Sequence, residues 1–415
     1  MVTPLAATEQ AQRYGRDFRL YATGQAVSIV GDRIALIALV FLVIHLSKGY
    51  ALALALFYVS RALPSLLGGL LAGVVVDHFN RQHVMVGCDL GRAAVLVIVP
   101  GLSSLQALTV YPLVLVIYAL TVLFDTAARA ALPDVVQTSR MMGANAILRG
   151  IETAGDLAYA AGGALVFALK LQLPFYIDAA TFLFSALMIS AMRLPTRSKG
   201  PLPHLGGIVR QVADGVRYLM GQPFLKWSTI TLVFAPLGGG AIYVLAPLYA
   251  GRVLGHSSGL VGPLRSAAVR FSLLEVSIGI GALLGSFLAA ILVRSWPRGR
   301  IFGLGIVGMG LATGVLALIT NLYLAGLAMV ASGIFNSLFV VSGTTLAQTL
   351  TPTGIRGRVL AARLTVINTA LALGSAIGGA LLLVIPYRIL WALLGGIILA
   401  SSFFVWSQPG ARKQV

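Results

Sequence analysis

The chain has 415 residues, of which 58% are hydrophobic and 10% charged, and its mean hydropathy of +0.93 lies far outside the soluble globular range. A formal charge of +18 would suggest nucleic acid for a soluble protein, but no compact basic patch interleaved with aromatics supports that partner. A single cysteine, Cys88, excludes disulfides and cysteine metal sites, and the five histidines show no metal-ligand spacing, so neither metal nor cofactor is expected.

Apolar runs read against charged and Gly/Pro punctuation predict an all-α integral membrane protein. Its twelve transmembrane helices lie near 19–44, 51–76, 84–103, 107–128, 149–170, 174–192, 227–250, 273–293, 301–320, 322–348, 364–385 and 388–406. Gly- and Pro-containing runs of this length exclude an outer-membrane barrel. The first run is long and lacks a small-residue cleavage site, so it reads as an uncleaved helix rather than a signal peptide. Ile301 to Ile355 holds no Asp, Glu, Lys or Arg, which leaves room for two spans joined near Asn321.

Taken in chain order, the first charges inside a span are Asp32 and Arg33, and a charge there is costly and usually functional. Asp32 is 13 residues beyond Arg19 and Arg61 is 16 residues before Asp77, which at ~1.5 Å per residue puts both roughly 20 to 24 Å from one boundary. An Asp32–Arg61 pair is the economical expectation, either as a proton-linked switch or as a static bridge, with Arg33 snorkelling or competing for the carboxylate. Next comes Gly73-x-x-x-Asp77-x-x-x-Arg81, a tight turn between spans, with Asp125 and Arg129 at the same membrane end, whose charges can form ionic contacts in one conformation and release them in another as a gate, or simply cap helix ends. Asp89 and Arg92, three apart, meet on one helix face and join the gating set. Glu152 and Asp156, four apart, repel each other. That favours a bound proton there, unless Arg149, Arg129 or Arg81 neutralises them. Asp178 reads as a helix cap.

The longest polar interruption, from Leu194 to Pro223, divides the spans six and six. The expected units are a first half over 1–193, a cytoplasmic linker with an amphipathic helix over 194–226, and a second half over 227–415. Asp77-His78-Phe79-Asn80-Arg81 corresponds weakly to Arg294-Ser295-Trp296-Pro297-Arg298, so the halves read as pseudo-symmetric. Of the 12 acids, only Asp214 and Glu275 follow Leu194, which places acid-based coupling in the first half. Pro236, Gly238, Gly239 and Gly240 are expected to break the seventh span where it lines a cavity, and Asn336 is a second cavity candidate.

Twelve spans, a basic centre and the glycine-acid-base turn resemble the major facilitator superfamily from about Asp17 to Ser407. Its bacterial enterobactin and macrolide exporters are resembled by Asp17-Phe18-Arg19-Leu20, Ser28-x-x-Gly31-Asp32, Arg61-Ala62-Leu63-Pro64, Leu132-Pro133-Asp134, Ile177-Asp178-Ala179-Ala180-x-Phe182 and Arg356-Gly357-Arg358-Val359. The resemblance implies a secondary transporter, not an enzyme. It implies proton-coupled efflux of small hydrophobic or amphiphilic substrates by a monomer in the bacterial inner membrane, the halves rocking around a central cavity. Two departures stand out: Pro112 to Phe124 lacks the arginine of drug:proton antiporters, and Ala158-Tyr159-Ala160-Ala161-Gly162-Gly163 keeps the glycines of their fifth-span motif without its proline. A lipid-moving transporter, an importer, and a membrane scaffold or sensor remain as alternatives.

Positively charged loops stay cytoplasmic, and with the N-terminus inside, 21 of the 30 Lys and Arg fall on inner segments against 6 outside. Both termini are therefore expected in the cytoplasm. In a Cys88→Ser background, single cysteines at Thr8 and Gln414 should label only from the cytoplasm and one at Lys48 only from outside. Labelling of the termini on opposite sides would overturn this topology.

Overall fold

The computed structural model describes residues 14–104, 107–137, 140–168, 171–194, 216–257, 259–352 and 355–406. We number its helices α1 (Arg16–Leu46), α2 (Ala51–His78), α3 (Arg81–Ile98), α4 (Val110–Val135), α5 (Met141–Gly155), α6 (Ala158–Ala168) and α7 (Leu173–Ser190). After the connection come α8 (Pro223–Arg252), α9 (Ala267–Leu292), α10 (Arg298–Val315), α11 (Leu322–Leu350), α12 (Arg356–Leu381) and α13 (Tyr387–Trp406). Among the described residues, nine helices are long and apolar enough to cross a membrane. Helices suit that solvent because hydrocarbon leaves no water to satisfy an open backbone. The amphipathic helix expected in the linker falls mainly on 195–215, outside the described residues.

The connections are short and carry turn chemistry. Lys48 and Gly49 adopt φ of 53° and 78°, which reverses the chain between α1 and α2. Asn80 accepts from the N–H groups of Gln82 and His83 to start α3, and Asn321 does the same with Tyr323 and Leu324 to start α11. The Gln82 side chain donates to the carbonyls of Ile189, Ser190 and Met192, covering the open end of α7.

Three expectations are corrected. The seventh span is not broken: α8 runs continuously through Pro236 and the glycines, which serve close packing instead. A Cβ on Gly240 would strike the Leu371 carbonyl of α12, and Gly374 and Gly378 of α12 lie as closely against Leu237 and Ala241 of α8. The break comes in the fifth span, where i,i+3 bonds (Asp156 N to Thr153 O, 3.3 Å; Tyr159 N to Asp156 O, 3.3 Å) replace the α pattern between α5 and α6. Arg270, which a span near 273–293 leaves in the preceding loop, is 4% exposed inside the first turn of α9. Its guanidinium donates to the carbonyls of Ala250, Leu264 and Arg265 at 2.7–2.8 Å, so the charge extends the helix instead of ending it.

Let the end at which α1 starts be proximal and the other distal. Helices α1–α7 pack on one another, and so do α8–α13; the main bridges between the two groups are α2 on α12 and α6 on α9. The distal core is common to both groups: it includes Leu39, Phe57 and Phe175 from one and Tyr249, Phe271 and Trp391 from the other. The proximal cores are separate. One holds Phe18, Met85 and Phe124, the other Phe302, Ile306 and Phe339. The groups are thus fastened distally and parted proximally.

The α8–α12 crossing has no side chain between its backbones, so it cannot absorb one. Gly374→Val should destabilise the protein by about 1–3 kcal/mol, read as a lowered thermal midpoint. Gly396→Ala, beside open space, should leave the midpoint unchanged or raise it slightly; equal behaviour of the two variants would refute this account of the crossing.

Candidate functional site

Ionisable side chains from several helices converge on the layer between the two groups. Arg33 of α1 reaches the break in the fifth span and donates from Nε to Asp156 Oδ1 at 2.9 Å, with its guanidinium 5.4 Å from the centre of the Tyr159 ring. The tight turns at the break aim Asp156 at that arginine, and Gly155 and Gly162 let the segment lie directly on Ile29 and Ile34 of α1. Arg61 stands over the Tyr118 ring at 5.1 Å. One turn earlier, Tyr58 stacks on Tyr243 of α8 at 5.4 Å, across the boundary between the groups. Asp32 is half-buried, and the positive charges acting on it are Arg92, Arg33 and Arg61.

The pairing therefore differs from the expected one. Arg61 makes no ion pair with Asp32 here; Arg33 takes the partner role, and its carboxylate is Asp156. Glu152 is separated from Asp156 by the break and is held instead by Arg149 at 2.7 Å, in an exposed pair. Asp178 is no terminal cap: it is buried within α7, accepts from Thr181 Oγ1 at 3.0 Å, and lies so close to Gly31 that a Cβ there would strike it.

The turn after α2 also chooses another partner. Arg81 donates to Asp134 at 2.8 Å and to the Ala130 carbonyl at 2.7 Å, rather than engaging Asp125 or Arg129. The reason is the length of α4, which continues through Pro133 and carries Asp134 opposite Arg81. Gly73 and Gly357 both have open space beside them in this conformation, while the Asp77 side chain lies outside the described residues. Asp89 and Arg92 are paired in the core of the first group, with Arg92 against the rings of Phe124 at 4.6 Å and Phe182 at 4.0 Å. Burial that complete suits a fixed brace, since a latch that must open works best when partly solvated.

Beside the charged layer is a cavity of about 670 Å³. Pro236, Gly239 and Asn336 all line it, with Phe339, Leu371 and Ile398 supplying apolar wall and Tyr243 joining it to the tyrosine stack. Its volume is in the usual range for small-molecule sites. Thr313 Oγ1 and Trp391 Nε1, on two further lining residues, have no hydrogen-bond partner.

Two residues of this region escaped the sequence reading. Glu275 of α9 forms none of the ion pairs seen among the described residues, and it lies within reach of the charges of Arg61, Asp156 and Arg33. The sequence signal for it is a lone acid in an otherwise apolar run. Arg363 of α12 is 5% exposed and lines the cavity. Starting the eleventh span at residue 364 assigned it to a loop.

The family described as transmembrane secretion effector matches residues 13–407. The multidrug efflux pump Tap of Mycolicibacterium fortuitum is 26% identical over 371 residues, covering 85% of this chain and 85% of its own. The uncharacterised MFS-type transporter YfiS of Bacillus subtilis is 24% identical, covering 86% and 84%. Macrolide efflux protein A of Streptococcus pyogenes is 22% identical, covering 70% of each. Among solved structures, a POT family transporter bound to a peptide conjugate superposes with a TM-score of 0.76 at 13% identity, covering 96% and 97% of the two chains. The nucleoside transporter NupG gives 0.71 at 16% identity, covering 94% and 98%.

Arg33 and Asp156 are 26% and 30% exposed, so their pair should contribute modestly. Arg33→Gln and Asp156→Asn should each lower the thermal midpoint, and the double variant should lose less than the sum by about 1 kcal/mol. Strictly additive losses would mean that the contact contributes nothing.

Proposed function

The chain belongs to the transmembrane secretion effector family of major facilitator transporters, and from that premise we propose that it exports hydrophobic or amphiphilic small molecules in exchange for protons. Twelve spans carry the work in this reading, α5 and α6 together forming the fifth, as two halves over 1–193 and 227–415 joined by the cytoplasmic segment 194–226. The proximal end is cytoplasmic, because the loops there hold most of the Lys and Arg. The membrane is the bacterial inner membrane and the working unit a monomer.

The observation that carries this reading is a cavity with a largely apolar wall, set beside an ion-paired layer, between helix groups fastened only distally. A substrate enters from the cytoplasm or the inner leaflet while Asp156 is ionised and paired with Arg33. Rocking then closes the proximal end, bringing together the open flanks of α2 at Gly73 and α12 at Gly357. The Asp77–Arg81 turn, with Asp125 and Arg129 beside the cavity mouth, re-sorts its contacts as that end closes. Protons arriving from outside neutralise Asp156, which frees Arg33, or Asp32, which lies in the field of Arg33 and Arg61, and so allow the return. Tyr243 couples the two events, since it lines the cavity and stacks on Tyr58, one turn from Arg61. The multidrug and macrolide pumps among the relatives favour this substrate class over an importer's.

In inverted vesicles with an imposed pH gradient, Asp32→Asn should lose uphill export by more than about tenfold, equivalent to about 1.4 kcal/mol on the coupled step, while keeping downhill exchange. Wild-type export that survives a protonophore undiminished, with no other ion gradient present, would rule out proton coupling.

A further inference from the structure

The cavity wall is electrically one-sided. Arg129 and Arg149 from the first helix group and Arg363 from the second line it, and no Asp or Glu does. Arg149 has Glu152 as a partner, and Arg129 lies in the field of Asp125 on its own helix. Arg363 has no such neighbour. Its guanidinium donates to Ser228 Oγ at 3.1 Å, Thr229 Oγ1 at 3.3 Å and the Gly343 carbonyl at 3.5 Å, all neutral acceptors. Helices α8–α13 contain one acid, Glu275, which lies within the fields of Arg61 and Arg33, and none follows it to the end of the chain. A guanidinium buried without a counter-ion costs several kcal/mol, and α8 and α11, the helices that supply its partners, carry no carboxylate.

We infer that the cavity takes an amphiphile with an anionic head, whose phosphate, sulfate or carboxylate is held by Arg363 with Arg129 facing it, and whose apolar body lies along α12. The inference rests on the transport reading and gives the occupant's chemistry. A guanidinium held by neutral hydroxyls keeps donors for a planar or tetrahedral anion, and such charge-assisted bonds are about twice as strong as neutral ones. From Arg363 to Leu371 the helix rises about 12 Å, and Ile367, Phe339 and Ile398 line that stretch with apolar surface. The head thus lies toward the proximal mouth and the tail toward the distal core. A cationic or uncharged amphiphile of equal length would fill the same slot but leave Arg363 uncompensated.

The test uses the full chain in phosphatidylcholine nanodiscs, titrated calorimetrically with dodecyl phosphate, dodecyltrimethylammonium and dodecyl maltoside, with empty discs subtracted. Dodecyl phosphate should bind saturably and at least about tenfold more tightly than the other two. Arg363→Gln should remove that preference and Arg363→Lys keep part of it. Because Arg363→Gln removes a buried group, Arg129→Gln at the exposed rim is the second variant, expected to weaken the phosphate alone at an unchanged thermal midpoint. Equal affinity for the three probes in the wild type, or an anion preference that survives both Gln variants, overturns the inference. Discs containing phosphatidylglycerol separate the sources of the head group: competition marks a bilayer lipid, and its absence a soluble acid. Anion-selective binding without export in vesicles would sink the transport reading alone, and export without anion selectivity would sink the head-group assignment alone.

Discussion

An ion in hydrocarbon must find a partner, and that cost organises the middle of this molecule. Only 10% of the chain is charged, so each ionic group within the bundle stands out against an apolar background. Arg92 is settled by Asp89 and two aromatic faces, and Arg33 by Asp156 and Tyr159. Arg61 has a ring but no carboxylate in contact. Asp178, buried in α7, and Arg61 and Glu275, where the two helix groups meet, form none of the ion pairs seen among the described residues, so the balance is incomplete. Incomplete balance is what allows one arrangement of charges to be exchanged for another at modest cost.

The second organising element is the removal of side chains where helices cross. Gly240, Gly374 and Gly378 bring α8 and α12 into backbone contact, and Gly281, Gly285 and Gly333 do the same for α9 and α11. Contacts of this kind supply van der Waals packing where the hydrophobic effect cannot, because lipid is as apolar as the helix surface. They also leave the crossings little freedom to slide. Gly73 and Gly357 are the contrast, with nothing yet packed on them.

Much of this was legible in the sequence, because hydropathy and charge are properties of residue type. The apolar runs and the unusual charges at Asp32, Arg33, Arg61, Asp156 and Arg81 needed no structure to be noticed. Partnership was harder to read, since it depends on where helices end and bend. Arg81 was matched to Asp125 and Arg129 because α4 was ended near residue 128; its passage through Pro133 put Asp134 in place. Asp156 was paired with Glu152 by spacing on a continuous helix, and the i,i+3 step at Gly155 separated them. The glycine cluster at 238–240 suggested a break, but glycine serves a close crossing as readily as a kink, and only the neighbouring helix decides. Arg363 is hidden by a span boundary at 364, although the helix begins at Arg356.

The two helix groups divide the chemistry unequally. Ten of the 12 acids lie in the first 194 residues, whereas most of the cavity wall comes from α8 to α13. Selection can therefore act on them separately. Exchanges among Leu232, Met309, Phe339 and Ile367 reshape the compartment without disturbing the ionic layer, and Tyr243 is where a change would be felt on both sides. A lineage of such chains could broaden or redirect its cargo by ordinary point mutation while inheriting its ionic layer intact.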